Sequence, residues 1–155
     1  MKLIPLTRGM FTKVDDEDYE ALSKLCWHAT YATRNNNWYV VRTFTKPIRR
    51  QVYMHRLILG ASSMAVDHIN CDGLDNRRAN LRFATPAQNS ANSRRRWDNT
   101  SGYKGVYFHK QTGKWRARLR SAKKHYSLGL FDNLEDAARA YRVAAEQHFG
   151  EFART

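Results

Sequence analysis

The period of hydrophobic and polar positions changes along the chain. In residues 1–60 short apolar runs are broken by turn residues. LIPLT, Arg8-Gly9 and MFTKV predict a β-hairpin with a glycine turn. Asp15 and Asp16 stand where a helix cap is needed, ahead of an apolar stripe of Tyr19, Leu22 and Cys26. Tyr31–Thr33 and Trp38–Phe44, joined by a polar turn at Arg34–Asn37, predict a second hairpin. The run VYMHRLIL at 52–59 fits a buried strand or a short helix, and helix is expected for Met54–Leu59. From 61 to 97 the order is strand, loop, strand, helix. Val66-Asp67-His68 ends a short strand and Ile69–Ala79 is a polar loop with a turn at Cys71-Asp72-Gly73. Leu81–Ala84 is a second strand, and Thr85 caps a helix whose first residue is Pro86.

After a polar connector from Trp97 to Gly102, apolar and polar residues alternate strictly. Val106 and Phe108 face one way and Lys104, Tyr107 and His109 the other. Trp115, Ala117 and Leu119 face inward, leaving Lys114, Arg116, Arg118 and Arg120 outward. A third strand puts Tyr126 and Leu128 inward and His125 and Ser127 outward, with turns at Gln111-Thr112-Gly113 and near Ser121-Ala122. A helix capped by Asp132 or Asn133 follows, with Leu134, Ala138, Tyr141, Ala145 and His148 or Phe149 on its apolar face. The class is α+β, and 155 residues suit one medium domain or two small ones, divided here into 1–97 and 98–155.

Charge changes the picture. The formal net charge is +13, and such an excess destabilises a compact fold unless a polyanion offsets it. Double-stranded DNA is the partner that fits. Arg77, Arg78, Arg82, Arg94, Arg95 and Arg96 fall in one run without an acid, and Asn99–Phe131 is a second acid-free basic run. Arg56 is a further candidate for a phosphate contact, whereas His55 reads as a packed core histidine. Cys26 and Cys71 form no CxxC pair and read as free thiols of a reducing cytosol. No apolar run approaches the roughly 20 residues needed to span a membrane. A cytoplasmic protein, monomeric or weakly dimeric and without an obligate protein partner, is expected.

The candidate chemistry lies at Asp67-His68, with Asn80 and Asn89 further along. Cleaving a phosphodiester requires an activated water and neutralisation of charge on the phosphate. A histidine titrates in the range needed for the first, and a carboxylate oxygen suits Mg²⁺ or Mn²⁺ for the second. Adjacent side chains of an ideal strand point to opposite faces, so the strand must end or bend at this pair.

Residues 66–92, with the flanking strings MHRLIL, DNRRANLR and QNSAN, resemble the HNH endonuclease motif in the variant whose last position is Asn. The resemblance implies a ββα-metal core behind an N-terminal α+β extension. It makes His68 the general base, Asp67 and Asn89 the two metal ligands, and Asn80 the central residue that ties the loop and orients the base. Many members have His where this chain has Asn89. An amide is a neutral ligand, so the implied Mg²⁺ or Mn²⁺ site is weak and is completed by the scissile phosphate.

Residues 101–154, through SGYKGVYFHKQTGKWRARL, HYSLGLFDNLEDAARAY and FGEFA, resemble an AP2 DNA-binding domain. That family packs a three-stranded antiparallel sheet on one helix and places the sheet in the major groove. On its contacting positions Lys104, Tyr107, His109, Arg120, His125 and Ser127 are the outward candidates, and Lys114, Arg116 and Arg118 share the face. Plant members carry arginines and tryptophans where this chain has Tyr107, His109, His125 and Ser127, so their target does not transfer. The combined expectation is a homing-endonuclease-like phage or mobile-element enzyme that nicks one strand per active site, working in the bacterial host's cytoplasm. The rival readings are a non-catalytic DNA-binding regulator and a non-specific nuclease anchored by its AP2 part.

Overall fold

The N-terminal apolar runs close the expected hairpin. Strand β1 (Lys2–Pro5) pairs antiparallel with β2 (Phe11–Val14) across a 3-10 turn in which Arg8 and Gly9 both have positive φ. The computed structural model describes residues 1–33, 36–60, 63–121 and 124–155, which divide into two units, Met1–Thr85 and Pro86–Thr155. The turns expected at Arg34–Asn37 and near Ser121-Ala122 fall partly outside the described residues, at Arg34, Asn35 and Ala122.

In the first unit α1 spans Asp16–Ser23 and buries Leu22, while Cys26 lies beyond its end and is exposed. Asp15 sits at the cap position, but its carboxylate accepts the Arg78 backbone N–H at 2.7 Å instead of capping α1. Strands β3 (His28–Ala32), β4 (Asn37–Phe44) and β5 (Arg50–Tyr53) form an antiparallel sheet in that order. The ambiguous run at 52–59 is both things in turn: β5 ends at Tyr53 and helix α2 begins at Met54, ending at Ile58. Strands β6 (Ala65–His68) and β7 (Leu81–Ala84) make a separate antiparallel pair. Ile4, Val14, Leu22, Trp27, Val40, Met54, Ile58, Val66 and Leu81 form one core. Each such side chain contributes about 1.5–3 kcal/mol by leaving water. The hairpin, both sheets and both helices therefore share a single apolar interior.

The second unit begins with α3 (Pro86–Asn92), which packs on the C-terminal segment. Ala91 and Asn92 are buried there, and the Ala91 carbonyl accepts both from Arg154 N at 3.4 Å and from Lys104 Nζ at 2.5 Å. The two compact units divide at 85/86, and α3 buries its end among residues at the far end of the chain. Strands β8 (Val106–His109), β9 (Lys114–Ser121) and β10 (Lys124–Phe131) form an antiparallel sheet with β9 central. Helix α4 (Leu134–Phe149) is capped by the Asn133 side chain, which accepts Asp136 N–H at 2.8 Å. It buries Ala137, Tyr141, Ala145 and Phe149, a ridge at every fourth residue, so Ala137 and not Ala138 carries the tightest contact.

Gly105 makes this packing possible. Its φ is +71°, and a Cβ there would lie 2.1 Å from the Tyr141 ring and 2.8 Å from the Arg118 carbonyl. Gly105→Ala is expected to destabilise the second unit by about 2–4 kcal/mol through overpacking and left-handed strain. Urea unfolding followed by the fluorescence of Trp115 measures this; an unchanged midpoint would show that Tyr141 can move aside at no cost.

Candidate active site and nucleic-acid interface

Strand β6 carries Asp67 and His68 at its end. Asp67 and His68 are both buried, at 4% and 5% exposure. In the β6–β7 register Asp67 lies directly opposite Arg82, and Arg82 Nε donates to Asp67 Oδ2 at 3.0 Å. His68 is the last residue of the strand, and a turn follows in which Cys71 N–H donates to the His68 carbonyl at 2.9 Å.

Asn80 holds the intervening loop at both ends. Its Oδ1 accepts from Asn70 N at 3.0 Å, and its Nδ2 donates to Asn70 Oδ1 at 3.0 Å and to the Asp75 carbonyl at 2.8 Å. The loop also lies against β4, where Asn37 Nδ2 donates to the Cys71 carbonyl at 3.1 Å. Gly73 is needed at this contact, because a Cβ would stand 2.2 Å from the Trp38 carbonyl. Sequence reasoning missed Asn76. This residue is fully buried, and its Oδ1 faces His68 Nε2 at 3.3 Å. An amide in a polar loop reads as a turn former, so only the fold reveals that it touches His68.

Around His68 the site is aromatic. The His55 ring stands edge-on at 4.9 Å and the Tyr39 ring at 5.9 Å, with Tyr53 5.3 Å from His55. Burial lowers the pKa of His68, opposed by its contact with Asn76 and by Asp67, Asp72 and Asp75. Burial likewise holds His55 down to about 3, reinforced by His68 and Arg56. His55 Nδ1 is buried without a hydrogen-bond partner. The packed core histidine expected from sequence is thus an uncharged ring set against the candidate base.

The fourth motif residue, Asn89, is an exposed residue of α3 and belongs to the second unit. Asp67 supplies the hard oxygen that Mg²⁺ or Mn²⁺ prefers. Among the described residues no group of three or more His, Cys, Asp or Glu could hold a metal ion. This donor set fits a largely hydrated cation and does not fit a zinc ribbon.

The basic residues separate into two kinds. Arg77 makes a two-point ion pair with the buried Asp75 at 2.7 and 2.6 Å. Arg78 pairs with Asp18 at 2.7 Å and Glu17 at 2.8 Å, and Arg82 pairs with Asp67. Arg56 donates to the Met64 carbonyl at 2.9 Å. Lys104 Nζ meets the carbonyls of Ala91 and Ser93, closing the end of α3. Arg96 pairs with Asp98, and Arg95 reaches the Asn99 carbonyl. These acids are distant in sequence or flank the basic run on either side, so the run looked less neutralised than it is.

The second unit keeps its outward face. Arg118 and Arg120 are exposed, with Ser127 opposite Arg118 and His125 opposite Arg120. Tyr107 lies opposite Arg116, and the Arg118 guanidinium stands 5.4 Å from the Tyr107 ring. His109 Nδ1 is 2.9 Å from Thr112 Oγ1, and Lys114 pairs with Asp132. A bulge between Ser127 and Gly129 shifts the pairing, so Leu130 comes opposite Arg116 and is 44% exposed. Strict alternation could not foresee an apolar residue on this basic face. A cavity of about 650 Å³ in the same unit is lined by Arg94, Arg95, Arg139, Arg142 and Arg154, of which the last three were also missed.

A strand-end histidine beside an acid in one unit and an arginine-bearing three-stranded sheet in the other are features compatible with a modular nucleic-acid enzyme. Residues 52–91 match the HNH endonuclease family and residues 101–151 match the AP2 domain. Similar proteins include "Protein 3.8" of Escherichia phage T7, 34% identical over 73% of this chain and 94% of that protein. Another is an "Uncharacterized HNH endonuclease L560" of Acanthamoeba polyphaga mimivirus, 29% identical over 94% of this chain and 74% of that protein. The AP2 region is 41% identical to an AP2-like ethylene-responsive transcription factor, TOE2, of Arabidopsis thaliana, over 33% of this chain and 10% of that protein. No solved structure matches significantly. The chain belongs to the HNH endonuclease family and carries an AP2 domain.

An imidazole held neutral by the fold binds a proton only on unfolding. The unfolded chain therefore takes up protons as pH falls below about 6.5, and stability declines from there towards pH about 3. His55→Phe keeps a ring in place and is expected to flatten the decline between pH 6 and 4 by about 1.4 kcal/mol per pH unit. Urea unfolding across that range measures the slope; an identical slope in the variant would place the titration elsewhere.

Proposed function

We propose that this protein is a site-directed DNA endonuclease whose HNH nuclease domain, residues 1–97, is delivered to its target by the AP2-like domain, residues 98–155. The observation that carries the reading is a buried, uncharged His68 beside Asp67 at the end of β6, with an amide oxygen against its Nε2. His68 takes the proton from the attacking water, and Asn80 keeps the loop that frames it in shape. Asp67 and Asn89 would hold a divalent cation, Mg²⁺ or Mn²⁺, which would supply charge neutralisation at the phosphate and the leaving 3′ oxygen. One such site per chain cuts one strand. The protein acts as a monomer or weak dimer, in a bacterial host's cytoplasm.

Arg116, Arg118, Arg120, His125 and Ser127 are the residues of the sheet best placed to meet base edges, since a guanidinium donates two hydrogen bonds to guanine. Tyr107, His109 and Lys114 border them. Arg94, Arg95 and Arg96 add backbone contacts. Arg56, Arg77, Arg78, Arg82 and Lys104 have intramolecular partners, so their share in DNA contact is smaller than their charge suggests.

His68→Ala is expected to lower plasmid nicking in Mg²⁺ by about 10²–10⁴-fold while DNA binding persists. Undiminished nicking would remove His68 from the role, and a wild-type protein that binds without nicking in Mg²⁺ or Mn²⁺ would favour the regulator.

Arg118→Ala has two distinguishable outcomes. Loss of a base contact relaxes site choice at a cost of about 1–3 kcal/mol, whereas loss of a phosphate contact lowers the salt slope by about one. Mapping cuts on DNA of mixed sequence, together with a salt titration, separates them; no change in either would take Arg118 out of the interface.

A further inference from the structure

The sheet of the second unit turns Arg118 and Arg120 outward and packs its other side on α4. The cavity of about 650 Å³ has α4 as one wall, and neither of those outward arginines lines it. A duplex held by the sheet therefore does not account for this cavity. Its cations come from three places in the chain. Arg94 and Arg95 follow α3, Arg139 and Arg142 stand about one turn apart on α4, and Arg154 comes from the C-terminal segment. Against these five arginines the lining has one carboxylate side chain, Glu135. Like charges three positions apart on a helix repel, so Arg139 and Arg142 weaken the helix that carries them. Ala138, on the same wall, presents only a methyl group and leaves the space open.

Several of these guanidinium groups keep their charge for an anion. Among the described residues Arg94 and Arg142 make no hydrogen bond or ion pair, and both are exposed. Arg139 pairs with Asp136 at 2.9 Å, but at the surface, where such a pair contributes little. Arg95 reaches neutral acceptors on Asn99. Two rings accompany the cations. Tyr103 lines the cavity and is 44% exposed. Trp97 follows Arg95 by two positions, is 88% exposed and rests on no other ring among the described residues. Cations along a groove with aromatic faces beside them are what a single strand requires, because its phosphates need charge and its unpaired bases stack. A duplex hides its base faces and offers a concave site nothing to insert. A free nucleotide is held by sites that enclose most of it, whereas four of these arginines and both rings are exposed.

We propose that this cavity, with Trp97 beside it, is a binding site for single-stranded DNA, separate from the sheet face that meets duplex DNA. Arg94, Arg139 and Arg142 take phosphates of the strand, and Tyr103 and Trp97 stack its unpaired bases. The second unit then holds paired DNA on its sheet and an unpaired strand beside α4. A strand frayed at a nick is one source of such an occupant. The inference goes beyond the nuclease reading and does not rest on His68 or on a metal ion.

The test uses the full chain with divalent metal chelated, so that no strand is cut. It follows the fluorescence anisotropy of a labelled oligothymidylate of about twelve nucleotides, with a labelled duplex of mixed sequence titrated in parallel. Arg139→Ala combined with Arg142→Ala should weaken oligothymidylate binding about tenfold and lower its salt slope by about 1.4, two phosphate contacts at about 0.7 each, with duplex binding unchanged. Alanine is the best helix former, so this exposed pair can be replaced without unfolding α4. Tyr103→Ala and Trp97→Ala should each cost about fivefold to a hundredfold, one stacked base apiece, and Tyr103→Phe and Trp97→Phe, which keep a ring, should bind as the wild type does. Arg118→Ala combined with Arg120→Ala should do the reverse and weaken the duplex alone. Oligothymidylate binding unchanged in the α4 double variant, or lowered by neither ring deletion, overturns the proposal. Equal loss of duplex and single strand overturns it too, by making the cavity a duplex contact, and so does thymidine monophosphate binding as tightly as the oligomer. A protein that shows the expected pattern but never nicks DNA in Mg²⁺ leaves this inference standing and sinks only the nuclease reading.

Discussion

The loop between β6 and β7 has to place polar backbone in a buried setting, and that constraint organises the first unit. A buried donor or acceptor left without a partner costs about 1–3 kcal/mol. Three sources meet the demand. Strand β2 pairs with residues 74–76, Asn37 of β4 holds Cys71, and Asn80 closes the loop upon itself. His68, at the loop's entrance, is therefore held by elements far from it in sequence. A nuclease motif of some 27 residues, 66–92, is incomplete without the sheet and hairpin that precede it.

The same economy governs the arginines. A chain of net charge +13 invites the reading that its basic residues await DNA. In the first unit most of those beside the motif serve the fold: Arg77 neutralises a buried carboxylate, Arg78 ties the loop to α1, and Arg82 meets Asp67. In the second unit Arg118 and Arg120 stand on an exposed sheet face whose other side is packed on α4. One residue type thus does two jobs, and the decisive difference is whether an acid lies within reach once the chain has folded.

Much of this was legible in the sequence where a local rule governs. Period-two alternation placed β8 and β9 and their outward residues, and Asp-His at a strand end with Pro86 opening a helix located β6 and α3. The run at 52–59 was undecidable because its first half obeys the sheet and its second half the helix. What stayed hidden depends on distant partners. The acids facing Arg78 come from α1, the bulge that exposes Leu130 follows from strand pairing, and the Asn76 amide bonds to Thr12 of β2. The packing of α3 within the second unit likewise rests on Arg154 and the turn at 150–152, more than sixty positions away from the start of that helix.

The pairing of Asp67 with Arg82 bears on how a cation can be held. Both side chains are largely buried, at 5% and 13% exposure, and stripping one partner from such a pair leaves an uncompensated charge at a cost of about 3–5 kcal/mol. Arg82 thus supplies in the folded chain the positive charge that Asp67 needs. A carboxylate already neutralised in this way attracts a cation less than an unpaired one does, and the amide of Asn89 adds no charge of its own. On the proposed reading the remaining negative charge would come from the scissile phosphate, so that metal and DNA would bind as coupled partners, each raising the affinity for the other.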